Sequence, residues 1–185
     1  MTQTVKRRTR LPGDLTEAER IDRILRVDLA GEYGARRIYE GQLSVLGARA
    51  DSESIRTMYE QEKAHLATFE KLLVERRARP SALTPLWHVA GFALGAATAM
   101  LGREAAMACT VAVEEVIDEH YEKQATALGE SEPALKATIE EFRRDELHHR
   151  DTGLAEGAAQ APAYPLLTGA IKAGSRFAIW LSERV

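Results

Sequence analysis

Two short strings of the chain combine residue types that bind metal ions. Glu62-Lys63-Ala64-His65 and Glu146-Leu147-His148-His149 each place a carboxylate and an imidazole three residues apart. On a helix this spacing puts both side chains on one face, about one turn from each other. If two such helices face each other, their oxygen and nitrogen atoms suit a pair of transition-metal ions, with iron or manganese as the first choices. Together the two strings predict a site for two metal ions.

The spacing of the apolar residues indicates the helices that must position these strings. Its period predicts four long helices and a shorter C-terminal one, with no convincing strand. The predicted helices cover about residues 17–47, 53–78, 84–128, 133 onward and 165–182. Capping signals support these limits: Thr16 with Glu19 for the first helix, Asp51 or Ser52 for the second, Thr84-Pro85 and Gly129 for the third, and Glu132-Pro133 for the fourth.

The metal-binding residue types stand where the helical period demands apolar side chains. Glu62 and His65 interrupt the apolar stripe of the second helix, and Glu146 and His149 interrupt that of the fourth. A buried carboxylate without a partner costs several kcal/mol of folding free energy. A bound cation compensates this cost best, so the four residues are predicted to be metal ligands.

The same test places two further acids, Glu32 and Glu114, on the inner faces of the first and third helices. Glu32 precedes Glu62 by 30 residues, and Glu114 precedes Glu146 by 32 residues. This repeat matches the ligand set of ferritin-like di-iron and di-manganese bundles. The carboxylates would balance two divalent cations, and such a site suits redox chemistry with dioxygen. The predicted fold is all-α: a ferritin-like four-helix bundle with an additional apolar C-terminal helix.

Length and composition limit the remaining possibilities. Residues 17–185 are expected to form a single domain, after a disordered N-terminal arm over residues 1–16. The formal charge of −3 does not indicate a nucleic-acid partner. The single cysteine, Cys109, excludes disulfide frameworks and cysteine-rich zinc sites and is expected in the core. The N-terminus carries no apolar signal segment, so secretion is not expected.

Several side chains near the predicted ligands have two open interpretations. Tyr121 lies two helical turns after Glu114 and either reaches the metal cavity or is a core tyrosine. His120 lies off the apolar face and is expected at the surface, and His148 is expected to be exposed or beside a ligand. Three acids either orient the histidines or form ordinary ion pairs: Asp28, Asp118 and Asp145.

Two apolar segments, residues 86–102 and 166–181, indicate either a lipid-facing surface or packing in the core. Residues 81–102 include no charged side chain over 22 positions, which suits either a membrane span or, because the run is rich in glycine and alanine, an interfacial surface or access groove. The groove is favoured, since this run is expected to continue into the ligand-bearing third helix. Leu94 of the first segment and Phe177 of the last helix are expected to face lipid. Four residues suit the headgroup level: Trp87, Lys172, Arg176 and Trp180.

Several stretches of the chain resemble the demethoxyubiquinone hydroxylase family. Those in the first two helices are Arg26-Val27-Asp28-Leu29-Ala30-Gly31-Glu32-Tyr33-Gly34-Ala35, Ile38-Tyr39-Glu40-Gly41-Gln42 and Glu62-Lys63-Ala64-His65-Leu66. Further along are residues 108–115 with His120-Tyr121, Asp145-Glu146-Leu147-His148-His149, Ala161-Pro162-Ala163-Tyr164 and Leu181-Ser182-Glu183-Arg184. The resemblance covers about residues 20–185, and the chain does not depart from the family pattern at any ligand position.

The resemblance implies a di-iron monooxygenase of ubiquinone biosynthesis. Such an enzyme hydroxylates the quinol ring of a polyprenylated demethoxyubiquinol, with dioxygen as oxidant and NADH as electron source. Glu32 and Glu114 would be terminal ligands of two iron ions per chain, Glu62 and Glu146 would bridge them, and the two histidines would bind one iron each. Tyr121 would lie close to the metals and take part in catalysis. No Gly-x-Gly-x-x-Gly motif indicates where NADH binds.

The family also implies a location and partners. The enzyme is expected at the cytoplasmic face of the inner membrane, bound peripherally, in a bacterial or already processed form. A homo-oligomer or an accessory protein of quinone biosynthesis are the expected protein partners. The alternatives from the residues alone are a ferritin-like iron store, another di-iron oxidase with an apolar substrate, or a membrane scaffold without catalysis.

Overall fold

The computed structural model describes residues 11, 13–49 and 52–185, and the part of the chain it describes is helical without strands. The six α-helices are α1 Glu17–Leu46, α2 Glu53–Arg76, α3 Thr84–Met100, α4 Arg103–Leu128, α5 Pro133–Ala155 and α6 Tyr164–Ser182. A short 3-10 helix, Ala158–Gln160, precedes α6. The predicted arm falls mostly on residues outside the described ranges. The all-α prediction is confirmed.

Most helix ends follow the capping chemistry of the sequence. The Thr16 hydroxyl accepts a hydrogen bond from the Glu19 amide, and the Glu19 side chain accepts one from the Thr16 amide, which confirms the capping box. Gly129 ends α4 with φ +55°, a conformation that favours glycine. The cap predicted for α2 is not confirmed, because Asp51 lies outside the described residues and the Ser52 side chain makes no capping hydrogen bond.

The prediction of one continuous third helix is wrong. The chain stops at Met100, turns at Leu101 and Gly102, and starts again at Arg103 as α4. Gly102 has φ +122°, which only glycine adopts without strain, and it separates two helices that run in opposite directions. Thr84 is also not the N-cap that the sequence predicted, because α3 already includes it. The uncharged run therefore forms a separate helix and does not belong to a ligand-bearing one.

Four helices, α1, α2, α4 and α5, form the bundle that carries the predicted ligands. Neighbouring helices run antiparallel: between α1 and α4, for example, Glu32 pairs with Tyr121, whereas Tyr39, later in α1, pairs with Glu114, earlier in α4. The remaining helices lie outside: α3 packs along α1, and α6 packs along α4. The close approach of α3 to α1 requires glycine, since a Cβ on Gly95 would collide with the backbone oxygen of Ile38. Lys172 forms an ion pair that joins α6 to α4.

The chain thus consists of two similar halves of three helices. In each half the first helix carries a single buried glutamate (the lone glutamate, Glu32 or Glu114), the second carries Glu-x-x-His, and the third is largely apolar and packs along the first. Apolar clusters close the bundle on both sides of the ligand level. One includes Leu25, Phe69 and Ile139, and the other includes Ile55 and Met107, all buried. Burial of these side chains provides the main stabilisation of the bundle.

Candidate metal centre

The structure brings all six predicted ligand residues together in the middle of the bundle. Each of them is at most 3% exposed, although all are charged or ionisable. They come from four helices: Glu32 from α1, Glu62 and His65 from α2, Glu114 from α4, and Glu146 and His149 from α5. Helical periodicity predicted this convergence because every one of them replaces an apolar residue on a buried stripe. Their role as ligands remains a prediction.

The six residues divide into two overlapping groups, each able to hold one cation. The first consists of Glu32, Glu62, His65 and Glu146, and the second of Glu62, Glu114, Glu146 and His149. Within each group, one potential ligand atom per residue lies within 4.8 Å of the others. Glu62 and Glu146 belong to both groups. A carboxylate has two oxygens, so each of these two glutamates is placed to contact both cations.

Each histidine points one ring nitrogen at the carboxylates and the other away from them. The Nδ1 atom of His65 lies 3.1 Å from Glu146, and its Nε2 atom lies 3.1 Å from Asp145. In His149, Nδ1 lies 3.0 Å from Glu146, and Nε2 lies 3.0 Å from the side-chain oxygen of Gln61. An imidazole that donates its Nε2 hydrogen to these outer oxygens keeps Nδ1 free to bind a metal. Asp145 therefore orients His65, which is one of its two predicted roles.

Gln61 was not predicted to take part in the site. It stands directly before Glu62 and supports the histidine of the other half, just as Asp145 stands before Glu146 and supports His65. This equivalence was present in the sequence as the position before each Glu-x-x-His. It was overlooked because glutamine and aspartate differ in charge, whereas both supply the acceptor oxygen that the imidazole needs.

Two buried tyrosines connect the halves in the same crossed way. The Tyr121 hydroxyl donates a hydrogen bond to Glu32, and the Tyr39 hydroxyl donates one to Glu114 over 2.9 Å. Tyr121 therefore lies at the predicted metal site, which is the first of its two interpretations. Tyr39 was predicted only as part of an apolar stripe. Its signal was the shared spacing, because each tyrosine follows the lone glutamate of its own half by seven residues.

Without a cation, the acids of the site repel one another in a buried space. Burial raises the pKa of Glu62 and Glu114 well above the usual range, and neighbouring carboxylates add to the effect. Burial opposes charge on His65, but contacts with two carboxylates, that of Glu146 first, raise the pKa of its imidazole to about 12. Burial likewise opposes ionisation of Glu146, yet hydrogen bonds from both histidines lower the pKa of that carboxyl to about 2. The site therefore retains protons that a metal would displace.

The buried carboxylate oxygens of the cluster show whether the site suits a pair of metal ions. Both carboxylate oxygens of Glu62, and one oxygen each of Glu32, Glu114 and Glu146, are buried and make no well-aligned hydrogen bond among the described residues, although an imidazole Nδ1 atom lies within 3.5 Å of three of them. Such oxygens are costly in a protein interior unless something binds them. Oxygen donors with one imidazole per group suit iron or manganese. The residues present therefore fit the predicted pair of metal ions.

The other singled-out side chains lie outside these two groups. Asp118 accepts a hydrogen bond from Arg143, His148 is exposed, and Cys109 is fully buried, each in agreement with one of its predictions. The surface position predicted for His120 is wrong. Its side chain is only 14% exposed, because it lies against Asp28 of the neighbouring helix α1.

An apolar cavity of about 370 Å³ adjoins the cluster, between α1, α3, α4 and α6. Glu32 and Tyr121 form part of the wall shared with the metal site. Trp87 and Leu94 line this cavity, and the Trp87 indole donates a hydrogen bond to Ser182 on α6. The lipid-facing position predicted for Leu94 is wrong, because this side of α3 packs inward against α1, α4 and α6. The headgroup level predicted for Trp87 stays a prediction.

Sequence comparisons relate the chain to proteins of ubiquinone biosynthesis. The family model described as ubiquinone biosynthesis protein COQ7 matches residues 19–182. A 3-demethoxyubiquinol 3-hydroxylase of Rhodospirillum rubrum is 64% identical over 177 residues, which are 95% of this chain and 84% of that protein. The mitochondrial NADPH-dependent 3-demethoxyubiquinone 3-hydroxylase of Mus musculus is 55% identical over 168 residues, 89% of this chain and 77% of its own length. The mitochondrial 5-demethoxyubiquinone hydroxylase of Saccharomyces cerevisiae is 44% identical, with 91% of this chain covered and 80% of the relative. The three relatives are named as hydroxylases, and the chain therefore belongs to the COQ7 family of ubiquinone biosynthesis proteins.

Proposed function

We propose that the chain is a di-iron monooxygenase that hydroxylates the quinol ring of a polyprenylated demethoxyubiquinol. The observation that carries the proposal is the apolar cavity, which borders Glu32 and Tyr121 and so gives an apolar ring direct access to the ligand cluster. Residues 17–185 act as one domain in this proposal. The name of the Rhodospirillum rubrum relative, 3-demethoxyubiquinol 3-hydroxylase, supports hydroxylation of a demethoxyubiquinol.

The protein's own residues position and shield the reaction. Six residues would hold two iron ions: Glu32, Glu62, His65, Glu114, Glu146 and His149. Bound iron would supply the one-electron chemistry that activates dioxygen. Tyr121 and Tyr39 hold the terminal carboxylates by hydrogen bonds, and Asp145 and Gln61 hold the histidine rings. The apolar walls of the cavity exclude water from the substrate ring.

An activity measurement tests the proposal directly. Iron-loaded protein, a short-tailed demethoxyubiquinol, a reductant and labelled dioxygen should yield a ring-hydroxylated product. That product should contain one labelled oxygen atom, while the second leaves as water with two electrons and two protons. Oxidation of iron with mineral formation and no labelled product would support the ferritin-like alternative instead.

The electron source is proposed to be NADH, and its identity is tested separately. The names of mitochondrial relatives specify NADPH, so the two nucleotides must be compared at equal concentration. We expect NADH to support turnover with a kcat/KM at least equal to that of NADPH, as the family resemblance of the sequence implies. A kcat/KM for NADPH ten-fold higher would contradict the proposal. Replacement of both by dithionite serves as the control for the hydroxylation step.

We also propose that the protein is attached peripherally to the cytoplasmic face of the inner membrane. None of the helices over the described residues combines the length and apolar character needed to cross a membrane. The exposed apolar side chains of α3 and α6 include Val89, Met100, Leu166, Phe177 and Trp180. Val89, Phe177 and Trp180 stand between residues that line the cavity, so a substrate with its tail in lipid would enter between these helices.

Charged substitutions on this surface should separate lipid access from chemistry. We expect Val89→Asp with Phe177→Glu to weaken liposome binding and turnover of a long-tailed quinol on the order of ten-fold or more, because each substitution removes apolar burial in lipid. Sedimentation with liposomes and turnover of long-tailed and short-tailed quinols are the measurements. Activity on the short-tailed quinol should be retained.

Val74→Glu is the matched control, because Val74 is 73% exposed on α2, away from α3 and α6. It should leave both activities and liposome binding unchanged. Equal loss with both substrates in the double variant would mean that Val89 and Phe177 support the fold, and the proposed lipid-facing surface would then be wrong.

A further inference from the structure

Asp28 is a buried acid in the cavity wall that belongs to neither metal-binding group. It is 2% exposed and lies one helical turn before Glu32 on α1. Its Oδ1 atom accepts a hydrogen bond from the Gln124 amide over 2.7 Å, and the His120 Nε2 atom lies 3.6 Å from the same oxygen. Its Oδ2 atom is buried and has no hydrogen-bond partner among the described residues. One acceptor oxygen is therefore left over at the edge of an apolar cavity.

Such an arrangement is unfavourable unless a ligand completes it. Burial raises the pKa of Asp28, and the contacts with His120 and Gln124 act in the opposite direction. An asparagine or a leucine would fit this position without a buried charge. The space beside Asp28 is also open. A Cβ on Gly31 or Gly34 would meet no atom within 4 Å, so packing does not require glycine at either position. Both glycines nevertheless lower the stability of the helix relative to alanine. No packing contact therefore explains either the acid or the open wall beside it.

We propose that the free oxygen of Asp28 accepts a hydrogen bond from a ring hydroxyl of the quinol and thereby selects the reduced substrate over the oxidised quinone. A quinol hydroxyl can donate to this oxygen. A quinone offers only carbonyl oxygens, which would face the carboxylate as a second acceptor and leave both unsatisfied. Gln124 and His120 hold the carboxylate in place from the other side. This inference rests on the proposed function, and Asp28 acts in it as a substrate-binding residue.

The test measures how tightly each redox form binds to the ferrous protein without oxygen. Trp87 lines the cavity, and a Trp180→Phe background leaves it as the single tryptophan, so its fluorescence reports binding. The ligands are a short-tailed demethoxyubiquinol and the matching quinone, and extraction after each titration checks that the redox form is unchanged. We expect the quinol to bind at least about ten-fold more tightly, the effect of one hydrogen bond to a charged group.

Asp28→Asn is the diagnostic variant, because its amide presents a donor where the carboxylate presents an acceptor. It should bind the quinol more weakly and the quinone more tightly, so that the preference disappears or reverses. Asp22→Asn, on the same helix but outside the cavity, should keep the ten-fold preference. Melting curves of both variants confirm that they are folded.

The outcomes distinguish this inference from the proposed function. Equal affinity of the unsubstituted protein for the two forms overturns the inference without requiring any variant to fold. An unchanged preference in folded Asp28→Asn also overturns it, while the proposed function stands because the quinol still binds in the cavity. If neither form binds near Trp87, the proposed function fails, and the inference fails with it.

Discussion

Replacing Glu62 or Glu146 with alanine is expected to remove both iron ions, whereas replacing Glu32 or Glu114 should leave one ion partly bound. The reason is that Glu62 and Glu146 belong to both metal-binding groups, and Glu32 and Glu114 to one each. The unsubstituted protein should bind two iron atoms per chain after anaerobic loading and desalting. Elemental analysis measures this directly, and a broad near-ultraviolet absorption should appear on oxidation.

Glu115→Ala is the matched control for these four variants. Glu115 is next to Glu114 but points toward α6, where it pairs with Lys172. It should retain two iron atoms per chain. A content of one zinc atom per chain, or no iron after anaerobic loading, would contradict the predicted site. Equal iron loss in all four glutamate variants would contradict the division into shared and unshared ligands.

Metal-free protein should become less stable as the pH rises from about 5 to 9, and metal loading should remove most of this loss. Burial raises the pKa of Glu32, Glu62 and Glu114, so the folded state holds protons that the unfolded chain releases. Their contribution is complete below the unfolded pKa of 4.5 and declines as the pH rises through the folded values. The protonated His65 contributes in the same direction. The stability that its positive charge provides is complete below the unfolded pKa of 6.5 and is lost as the pH approaches its folded pKa of about 12.

Glu146 has the opposite shift but does not change this trend. Its pKa is lowered to about 2, so its contribution is present above pH 4.5 and is lost only in strong acid. Melting curves of metal-free protein should therefore shift down on the order of 5 °C across the interval. Bound metal replaces the protons and should raise the melting temperature by roughly 10 °C at neutral pH.

Glu62→Gln provides the control for the pH effect, since it keeps the shape of the side chain and cannot ionise. Its metal-free form should show a smaller decline in melting temperature with pH than the unsubstituted protein. Metal-free and metal-loaded protein with the same melting temperature at every pH would mean that the acids do not converge in a buried space.

The clustering of the six predicted ligands could be predicted from the sequence, because there ionisable residues occupy positions where the helical period requires apolar ones. An ionisable residue on an apolar stripe is visible without a structure, and six such residues on four helices left few arrangements. The break between α3 and α4 was not visible in the same way. Gly102 follows Gly91 and Gly95 in one uncharged run, and nothing in the pattern shows that Gly102 turns the chain while the others bring two helices together.

The faces of α3 and α4 outside the bundle were predicted less well for a related reason. An almost uniformly apolar helix has no polar side to mark solvent, so the orientation of Leu94 and Trp87 depends on packing partners distant in sequence. His120 was misplaced because Asp28, which it contacts, lies on α1, far from it along the chain. Tyr39 and Gln61 were missed although their positions repeat those of Tyr121 and Asp145 in the other half.

The crossed contacts between the two halves have a consequence for how the molecule holds together. Each half would supply three ligands to one metal-binding group but only one to the other. The hydrogen bonds of Tyr39, Gln61, Tyr121 and Asp145 to the predicted ligands all cross from one half to the other. Neither half alone has a complete coordination sphere. A metal pair would therefore cross-link the two halves, which are joined covalently only through the turn at Gly102. Loss of one ion would weaken the docking of both halves, and with it the wall of the cavity that each half provides through its apolar third helix.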